Sequence, residues 1–209
     1  MNVKNDQAAA VPARTTKAEQ SEATRSALVA AARPLFAERG YAGVGTEEIV
    51  RAAGVTRGAL YHHFGGKDDL FAAVYEQVEA ELVAEIGQVA TVASDPLDAL
   101  HQGAAMFLEA CRRPEVQRIT LIDAPSVLGW ERWREIGVRY GFGLIEEVLK
   151  EAMAQGVIER QPVRPLTHLL LGAMDEAAML VARSDDAELR AQVAAAIDRY
   201  LDTLASRSA

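Results

Sequence analysis

The chain has 209 residues, half of them apolar, which is enough for one large or two small domains with a buried core. Its formal net charge of −8 gives no overall reason to expect a polyanion as partner. The only cysteine, Cys111, excludes an intrachain disulfide and a multi-cysteine zinc site, and it fits a reducing compartment.

The charge is distributed unevenly along the chain. Residues 1–67 contain nine basic and six acidic residues, hence +3, whereas residues 68–209 contain 13 basic and 24 acidic residues, hence −11. A local excess of positive charge on an acidic protein is compatible with a polyanion partner. The N-terminus lacks the apolar core of a signal peptide, and no window of 18 apolar residues is free of charge. These absences predict a cytoplasmic location.

The first predicted helix follows a polar segment. Residues 1–21 show no sustained hydrophobic period and are predicted to form a flexible tail. Between residues 24 and 39 apolar residues recur at helical spacing, and Gly40 follows where a C-terminal cap is expected. Pro34 lies inside this segment and removes a backbone donor, so a bend or a local break is expected there.

Two short helices are predicted next, joined by a tight turn. Thr46 is a suitable N-cap for the first, which closes at Gly54, and Thr56 is a suitable N-cap for the second, residues 57–64. This spacing is typical of a helix-turn-helix. The second helix is expected to direct Leu60 and Phe64 into the core, where Ile49, Ala53 and Val55 are available to pack, and Gly58, Tyr61 and His62 outward.

The outward residues suit the recognition of DNA. Arg57 lies in the first turn, where a guanidinium can reach the O6 and N7 edge of a guanine, and Gly58 and Ala59 are small enough for close approach to bases. Further side chains are placed to hold phosphates on either side of the groove, namely Tyr61, His63 and Lys67, with Thr46 and Thr56 at the two helix starts.

Each of these residues also has a simpler interpretation. Arginine and lysine on short exposed helices are commonly solvated, and threonine caps helices in any protein. His62 is the candidate that most readily faces solvent alone. A metal site is not expected, because His62 and His63 point about 100° apart and His101 and His168 lie far away in sequence.

The segment "LFAERGYAGVGTEEIVRAAGVTRGALYHHFGGKDDLFAAV", residues 35–74, resembles the N-terminal DNA-binding region of the TetR family of bacterial transcriptional repressors. The matching features are a threonine before the second helix, the A-x-x-A-G-V-[ST] turn, the L-Y-x-H-F run and the F-x-x-K-x-x-L motif that opens the fourth helix. The resemblance implies that Thr46, Tyr61 and Lys67 contact phosphates. It also implies bases at or near the following residues: Arg57, Gly58, Ala59, His62 and His63.

The remainder of the chain is predicted to be helical as well. A long helix from Lys67 to about residue 90 is followed by helices at about 96–111, 114–122, 126–155, 163–183 and 186–205, separated by proline, glycine or polar residues. The predicted fold is therefore all-α. A three-helix helix-turn-helix DNA-binding domain, residues 22–67, precedes a larger helical domain for effector binding and dimerisation, residues 68–209.

The last two predicted helices carry apolar stripes that suit a four-helix dimer interface. The alternative is that these stripes only pack on the rest of their own chain, and the resemblance favours dimerisation. A twofold dimer places its two reading helices one DNA turn apart, about 34 Å, and predicts a palindromic operator. The stripe residues are Leu166, Leu169, Leu170, Ala173, Met174, Ala177 and Leu180 in one helix and Val193, Ile197, Tyr200, Leu201 and Leu204 in the other.

Apolar residues of the second domain are candidates for an effector pocket, although buried aromatic residues and methionines are commonly core. The resemblance implies that a small apolar or amphipathic effector releases DNA. No cofactor is predicted, since "GYAGVG" lacks both the order and the preceding strand of a nucleotide-binding loop. Cys111 is a redox trigger or, more simply, a packing residue. The pocket candidates are Met106, Phe107, Cys111, Trp130, Trp133, Tyr140, Phe142 and Met174.

Three classes of function follow. The first is a homodimeric, ligand-responsive repressor that binds operator DNA through residues 46–67. The second is a helical enzyme, for which the sequence offers no nucleophile–base pair, no paired carboxylates and no metal constellation. The third is a protein-interaction or nucleoid-associated module without a specific operator. The sequence leads to the first and keeps the third as the alternative.

Overall fold

The computed structural model describes residues 16–90, 92–184 and 186–206. Within these ranges the chain is helical, and its β pairing is limited to an isolated antiparallel bridge between Ile158 and Ala205. The helices are α1 (Lys17–Arg39), α2 (Thr46–Ala52), α3 (Arg57–His63), α4 (Lys67–Ala90), α5 (Pro96–Ala110), α6 (Pro114–Val116), the π-helical segment Gln117–Asp123, α7 (Ala124–Ala154), α8 (Val163–Ala182) and α9 (Ala187–Asp202).

Helix α1 begins earlier than the sequence predicts. The Thr16 hydroxyl accepts the Glu19 N–H at 3.2 Å, and the Glu19 carboxylate accepts the Thr16 N–H at 2.6 Å, which together form a capping box. The predicted flexible tail of residues 1–21 is therefore wrong for residues 17–21, while residues 1–15 lie outside the described residues. Residues 16–23 are all exposed, so this part of the helix has no hydrophobic period.

Pro34 does not break α1. The helix is continuous from residue 17 to residue 39, so of the two predicted alternatives the local break is wrong and the bend stays a prediction. Pro34 is exposed, and the carbonyl that loses its helical partner there can be hydrated. Gly40 follows with a φ of +69°, and its N–H donates to the Phe36 carbonyl at 2.9 Å.

Helices α1, α2 and α3 form the N-terminal unit, which contains the predicted helix-turn-helix. Thr56 is the N-cap of α3, as predicted, and its hydroxyl accepts the Ala59 N–H at 3.2 Å. The prediction that Thr46 caps α2 is wrong, because Gly45 has the extended backbone of an N-cap and Thr46 is the first helical residue. Gly54, with a φ of +67°, makes the turn between α2 and α3.

Helix α4 connects the N-terminal unit to the C-terminal unit, which consists of α5 to α9 and the π-helical segment. Two adjoining clusters of buried side chains follow from this arrangement. The first surrounds Phe36, Leu60 and Phe71, joins α1–α3 to α4 and continues into the C-terminal unit at Ile119 and Trp133. The second lies between α5, α7, α8 and α9. The helix predicted at 114–122 is instead the short α6 and the π-helical segment, and α7 contains a kink at Gly129.

Polar contacts also join the two units. Asp123, at the end of the π-helical segment, accepts the N–H of Tyr41 at 2.7 Å. Arg33 of α1 donates to Glu81 of α4 and to Glu115 of α6, in both cases at 2.7 Å. The N-terminal unit is therefore held by the C-terminal unit at more points than the start of α4. Across the described ranges, every helix is too short or too polar to cross a membrane.

Candidate functional site

Helix α3 separates a buried apolar side from an exposed polar side. Leu60 is completely buried and Phe64 is 5% exposed, whereas Tyr61 is 46% exposed. Gly58 and His62 are also exposed. The predicted division of this helix into a buried and an exposed side is confirmed.

Arg57 stands at the start of that exposed side. Its Nη1 donates to Oε1 of Glu47 on α2 at 2.9 Å, and its guanidinium lies 5.6 Å from the centre of the Tyr61 ring. The Arg57 and Glu47 side chains are 60% and 72% exposed, so their ion pair contributes little to stability and can be exchanged for another anion. The contacts with Glu47 and Tyr61 thus orient the Arg57 guanidinium but leave it accessible to another anion or acceptor.

The other residues predicted to lie near bases are less uniform. The rings of His62 and His63 are 5.2 Å apart in an edge-on arrangement, and His63 is partly buried. Ala59 is also partly buried. In the part of the chain that the structure describes, no three His, Cys, Asp or Glu side chains are grouped so that they can hold a metal ion.

Lys67, which is predicted to contact phosphate, makes hydrogen bonds within the chain. It is partly buried, and its Nζ donates to the carbonyls of Tyr41 and Val44, each at 2.9 Å. The same ammonium lies 3.8 Å from the centre of the Tyr41 ring. These contacts tie the α1–α2 loop to the start of α4, and one of the three N–H groups of the ammonium is left for another acceptor.

A cavity of about 120 Å³ lies between α4 and the helices of the C-terminal unit. Its walls come from α4, α5, the π-helical segment, α7, α8 and, at Leu201, α9, and most of the lining residues are apolar. Three of the eight predicted pocket residues line it, namely Phe107, Trp133 and Met174.

The other five predicted pocket residues lie elsewhere. Trp130 is 62% exposed, and the Phe142 ring packs on His168 with the ring centres 4.7 Å apart. Cys111 is buried in the core, and Met106 and Tyr140 are only partly buried. An apolar residue type predicts burial, but it does not tell which buried residues border empty space.

The sequence interpretation missed the polar part of the cavity wall. Tyr75 and Glu79 on α4, Arg134 on α7 and Asp175 on α8 all line it. Arg134 donates to Asp175 in a short, mostly buried ion pair. A signal for this site was present, because Asp175 interrupts the otherwise apolar run "LLLGAMDEAAMLVA" of α8.

The carboxyl groups in the cavity wall are perturbed. Burial, reinforced by the negative charge of Asp175, raises the pKa of Glu79 to about 7, and the hydrogen bond with Tyr75 opposes this rise. Burial also raises the pKa of Asp175 to about 6, against the influence of Arg134. Burial raises the pKa of the Cys111 thiol as well, which keeps this cysteine protonated and favours the packing role over the redox role.

The predicted interface residues of α8 and α9 mostly serve the core of their own chain. This correction concerns the following residues, all buried: Leu166, Leu170, Met174, Ala177, Val193, Ile197 and Leu201. Ala173, Tyr200 and Leu204 are partly buried, while Leu169 and Leu180 are 64% and 44% exposed. The strongest apolar stripe of each helix faces inward, since the C-terminal unit needs it as core.

Comparison with known proteins places both units in one family. The family model described as "Bacterial regulatory proteins, tetR family" matches residues 28–74, and the model "Tetracyclin repressor-like, C-terminal domain" matches residues 97–204. The transposon Tn10 TetC protein of Escherichia coli is 29% identical over 154 residues, which cover 74% of this chain and 78% of that protein.

Two further relatives are similar. The transcriptional regulator AcrR of Shigella flexneri is 37% identical over 110 residues, which cover 52% of this chain and 51% of AcrR. The crystal structure of a TetR-family transcriptional regulator from Pectobacterium atrosepticum superimposes with a TM-score of 0.81 at 35% identity, and the match covers 93% of this chain and 100% of the other. Both the fold and the sequence of this chain therefore resemble those of the Pectobacterium regulator over nearly the whole length of the chain.

Glu79 gives a prediction for stability against pH. Below its usual pKa of 4.5 the carboxyl is protonated in the folded and unfolded chain, and its full contribution is present. As the pH rises through the folded-state pKa of about 7, burial of the ionised form costs free energy and that contribution is lost. Glu79→Gln is expected to be more stable than the wild type at pH 8 by about 1–3 kcal/mol, and nearly equal to it at about pH 5.

Urea unfolding at the two pH values measures this difference. The matched control is Glu76→Gln, one turn earlier on α4, where the carboxylate pairs with Arg139 at 3.0 Å outside the cavity. That variant is expected to gain no stability at pH 8. An equal difference between wild type and Glu79→Gln at both pH values contradicts a perturbed carboxyl at residue 79.

Proposed function

Because this chain belongs to the TetR family of bacterial transcriptional regulators, we propose that it is a homodimeric repressor that binds a palindromic operator and leaves it when a small molecule enters the cavity. The observation that carries the proposal is the exposed polar side of α3, which opens with Arg57 and is backed by a completely buried Leu60. Such a protein acts beside the chromosome, in the cytoplasm. It is not an enzyme.

The proposed roles on DNA follow from the placement of each side chain. Arg57 reads a guanine, exchanging its exposed contact with Glu47 for the base edge. Gly58, Ala59, His62 and His63 lie beside it on the same short helix and approach the neighbouring bases. Four residues are proposed to contact phosphates: Thr46 at the start of α2, Thr56 and Tyr61 at the start and in the middle of α3, and Lys67 at the start of α4. The local charge of +3 over residues 1–67 supports approach to DNA by an otherwise acidic chain.

The proposed dimer interface is the outer side of α8 and α9. Leu169 and Leu180 are exposed there, and Ala173 lies between them at helical spacing and is partly buried. Tyr200 and Leu204 of α9 are partly buried and extend the surface. Exposed leucines on a helix cost free energy in water, and a second copy of the same surface removes them from it.

The proposed release mechanism uses the π-helical segment Gln117–Asp123. Thr120 and Leu121 line the cavity, and Asp123 at the end of the same segment accepts the Tyr41 N–H of the N-terminal unit. A ligand that displaces Leu121 is therefore able to shift the contact that orients α1 and the helix-turn-helix. A change in the tilt or separation of the two reading helices prevents both half-sites from being occupied together.

The alternative, a nucleoid-associated module without a specific operator, is tested by the same experiment as the proposal. Purified protein selects DNA from a random pool, and the affinity for the selected sequence is measured at two salt concentrations. The proposal predicts a palindromic consensus with half-sites about one helical turn apart and binding that weakens steeply with salt. Equal affinity for random and selected DNA contradicts the repressor and supports the alternative.

A pair of substitutions separates base reading from phosphate binding. Arg57→Ala is expected to cost about 1–3 kcal/mol on the cognate operator and to relax the preference at one base pair, without loss of thermal stability. Lys67→Ala is expected to weaken binding to all sequences alike and to lower the melting temperature, since it removes two hydrogen bonds to the Tyr41 and Val44 carbonyls. Binding to operators mutated at each position measures both effects, and a reversed pattern refutes the assigned roles.

The dimer surface is tested by adding a charge to it. Leu169→Glu is expected to yield monomers at micromolar concentration and to reduce operator affinity by about 100-fold or more, because a single reading unit binds one half-site. Light scattering after gel filtration measures the mass. Val92→Glu is the matched control, since Val92 is 78% exposed on the loop between α4 and α5 and is expected to leave the dimer intact. A dimeric Leu169→Glu variant places the interface elsewhere.

A further inference from the structure

The cavity contains one carboxyl group without a cationic partner. Asp175 is paired with Arg134, and the hydroxyl of Thr120 donates to the Val116 carbonyl of its own segment at 2.8 Å. Glu79 shares a hydrogen bond with Tyr75. Among the described residues, no Lys, Arg or His nitrogen lies within 4.0 Å of the Glu79 carboxylate. With both carboxyls ionised, the lining residues carry one net negative charge.

The ionised form of the Glu79 carboxyl costs free energy when it has no partner. A buried charge needs an opposite charge or several hydrogen bonds, and without them the group retains its proton. The pKa of Glu79, raised to about 7, means that near neutral pH the group is divided between its two forms. A cation in the cavity would favour the ionised form, and the proton would leave to solvent.

The rest of the lining suits a cation with an apolar body. Three aromatic rings, those of Tyr75, Phe107 and Trp133, border the same cavity, and ring faces attract organic cations. Between them the wall is made of aliphatic side chains, among them Leu82 and Leu171. Among the described residues that line the cavity, Arg134 is the only basic one, and its charge is already neutralised by Asp175, so these residues offer no free site for an anion.

We propose that the cavity binds a small organic monocation, a protonated amine or quaternary ammonium ion with an apolar body, and that Glu79 is its counter-ion. This inference rests on the proposed function only in taking the cavity as the effector site, and it makes no use of DNA. Neutral and anionic ligands of the same shape leave Glu79 without a partner, and the cavity selects against them.

The test uses an isosteric pair, phenyltrimethylammonium and the uncharged tert-butylbenzene. Binding to the 209-residue chain, as purified, is followed by isothermal titration calorimetry. Tryptophan fluorescence follows it in a Trp130→Phe background, where Trp133 in the cavity wall is the remaining tryptophan. The proposal predicts that the cation binds about tenfold or more tightly than its neutral isostere. It also predicts a loss of about tenfold or more in Glu79→Gln, with no such loss in the control Glu76→Gln.

The pH dependence of the affinity for the cation distinguishes a counter-ion from a Glu79 that only supports the structure. The cation has no titratable proton, so its affinity is expected to rise between about pH 6 and pH 8 as Glu79 ionises, and to change much less in Glu79→Gln. The other titratable groups facing Glu79 are Tyr75, Cys111 and Asp175, with the permanently charged Arg134. The pKa values of Tyr75 and Cys111 are raised away from this range, and Asp175, at about 6, is present in both proteins.

Three outcomes overturn the proposal. Equal binding of the two compounds, unaffected by Glu79→Gln, leaves the cavity as a ligand site but refutes the cation. No binding of phenyltrimethylammonium at 10 mM refutes the cation as well, while operator selection still decides the DNA-binding function separately. Cation binding that survives Glu79→Gln unchanged places the charge elsewhere.

Discussion

The contact between Asp123 and the backbone of Tyr41 is the polar constraint that joins the cavity-lining π-helical segment to the N-terminal unit. Asp123 ends the π-helical segment Gln117–Asp123, and its carboxylate accepts the Tyr41 N–H at 2.7 Å just after α1 ends. Gly40, beside it, has a φ of +69°, and a Cβ built there would lie 3.2 Å from the Asp123 carboxylate. A side chain at residue 40 would therefore strain the backbone and crowd the carboxylate, so the close approach of the two units requires glycine.

The same segment is fixed on its other side by the cavity wall. Trp133 donates from Nε1 to the Thr120 carbonyl at 3.0 Å, and Thr120 donates to the Val116 carbonyl. Single turns of π-helix are less regular than α-helix and frequently occur at functional sites, because they hold one extra residue per turn. A segment that contributes to the cavity in its middle and holds the N-terminal unit at its end is well placed to relate a ligand to the position of α3. In this account Arg33, which reaches both Glu81 and Glu115, limits how far the N-terminal unit can move.

Much of the N-terminal unit could be predicted from sequence, since local rules determine it. Helical spacing predicts the all-α fold and the burial of Leu60 and Phe64, and capping chemistry predicts Thr56 as the N-cap of α3. The first turns of α1 were missed because they are exposed and are held by the Thr16–Glu19 capping box rather than by a hydrophobic period. Thr46 was assigned as a cap because its type suits one, but the backbone of Gly45 takes that place.

The C-terminal unit was predicted less well because its sites arise between helices that are distant in sequence. Glu79, Arg134 and Asp175 come from α4, α7 and α8, and no spacing within one helix brings them together. The apolar stripes of α8 and α9 were visible, but periodicity does not distinguish a face that packs inside the chain from one that binds a second copy. Exposure identifies the residues outside the core, and of the predicted set it leaves Leu169 and Leu180 there.

The central claim is that occupation of the cavity and the position of α3, the proposed DNA-reading helix, are coupled through Asp123. A double-mutant cycle in operator affinity tests this claim most directly. Gly137→Leu fills the cavity, where a Cβ would meet only the Tyr75 hydroxyl at 3.8 Å, and Gly143→Leu on the exposed side of α7 is the control. The account predicts that Gly137→Leu weakens operator binding by about 5-fold or more with Asp123 present, and much less in Asp123→Ala. Equal effects in both backgrounds, or none in either, would contradict it.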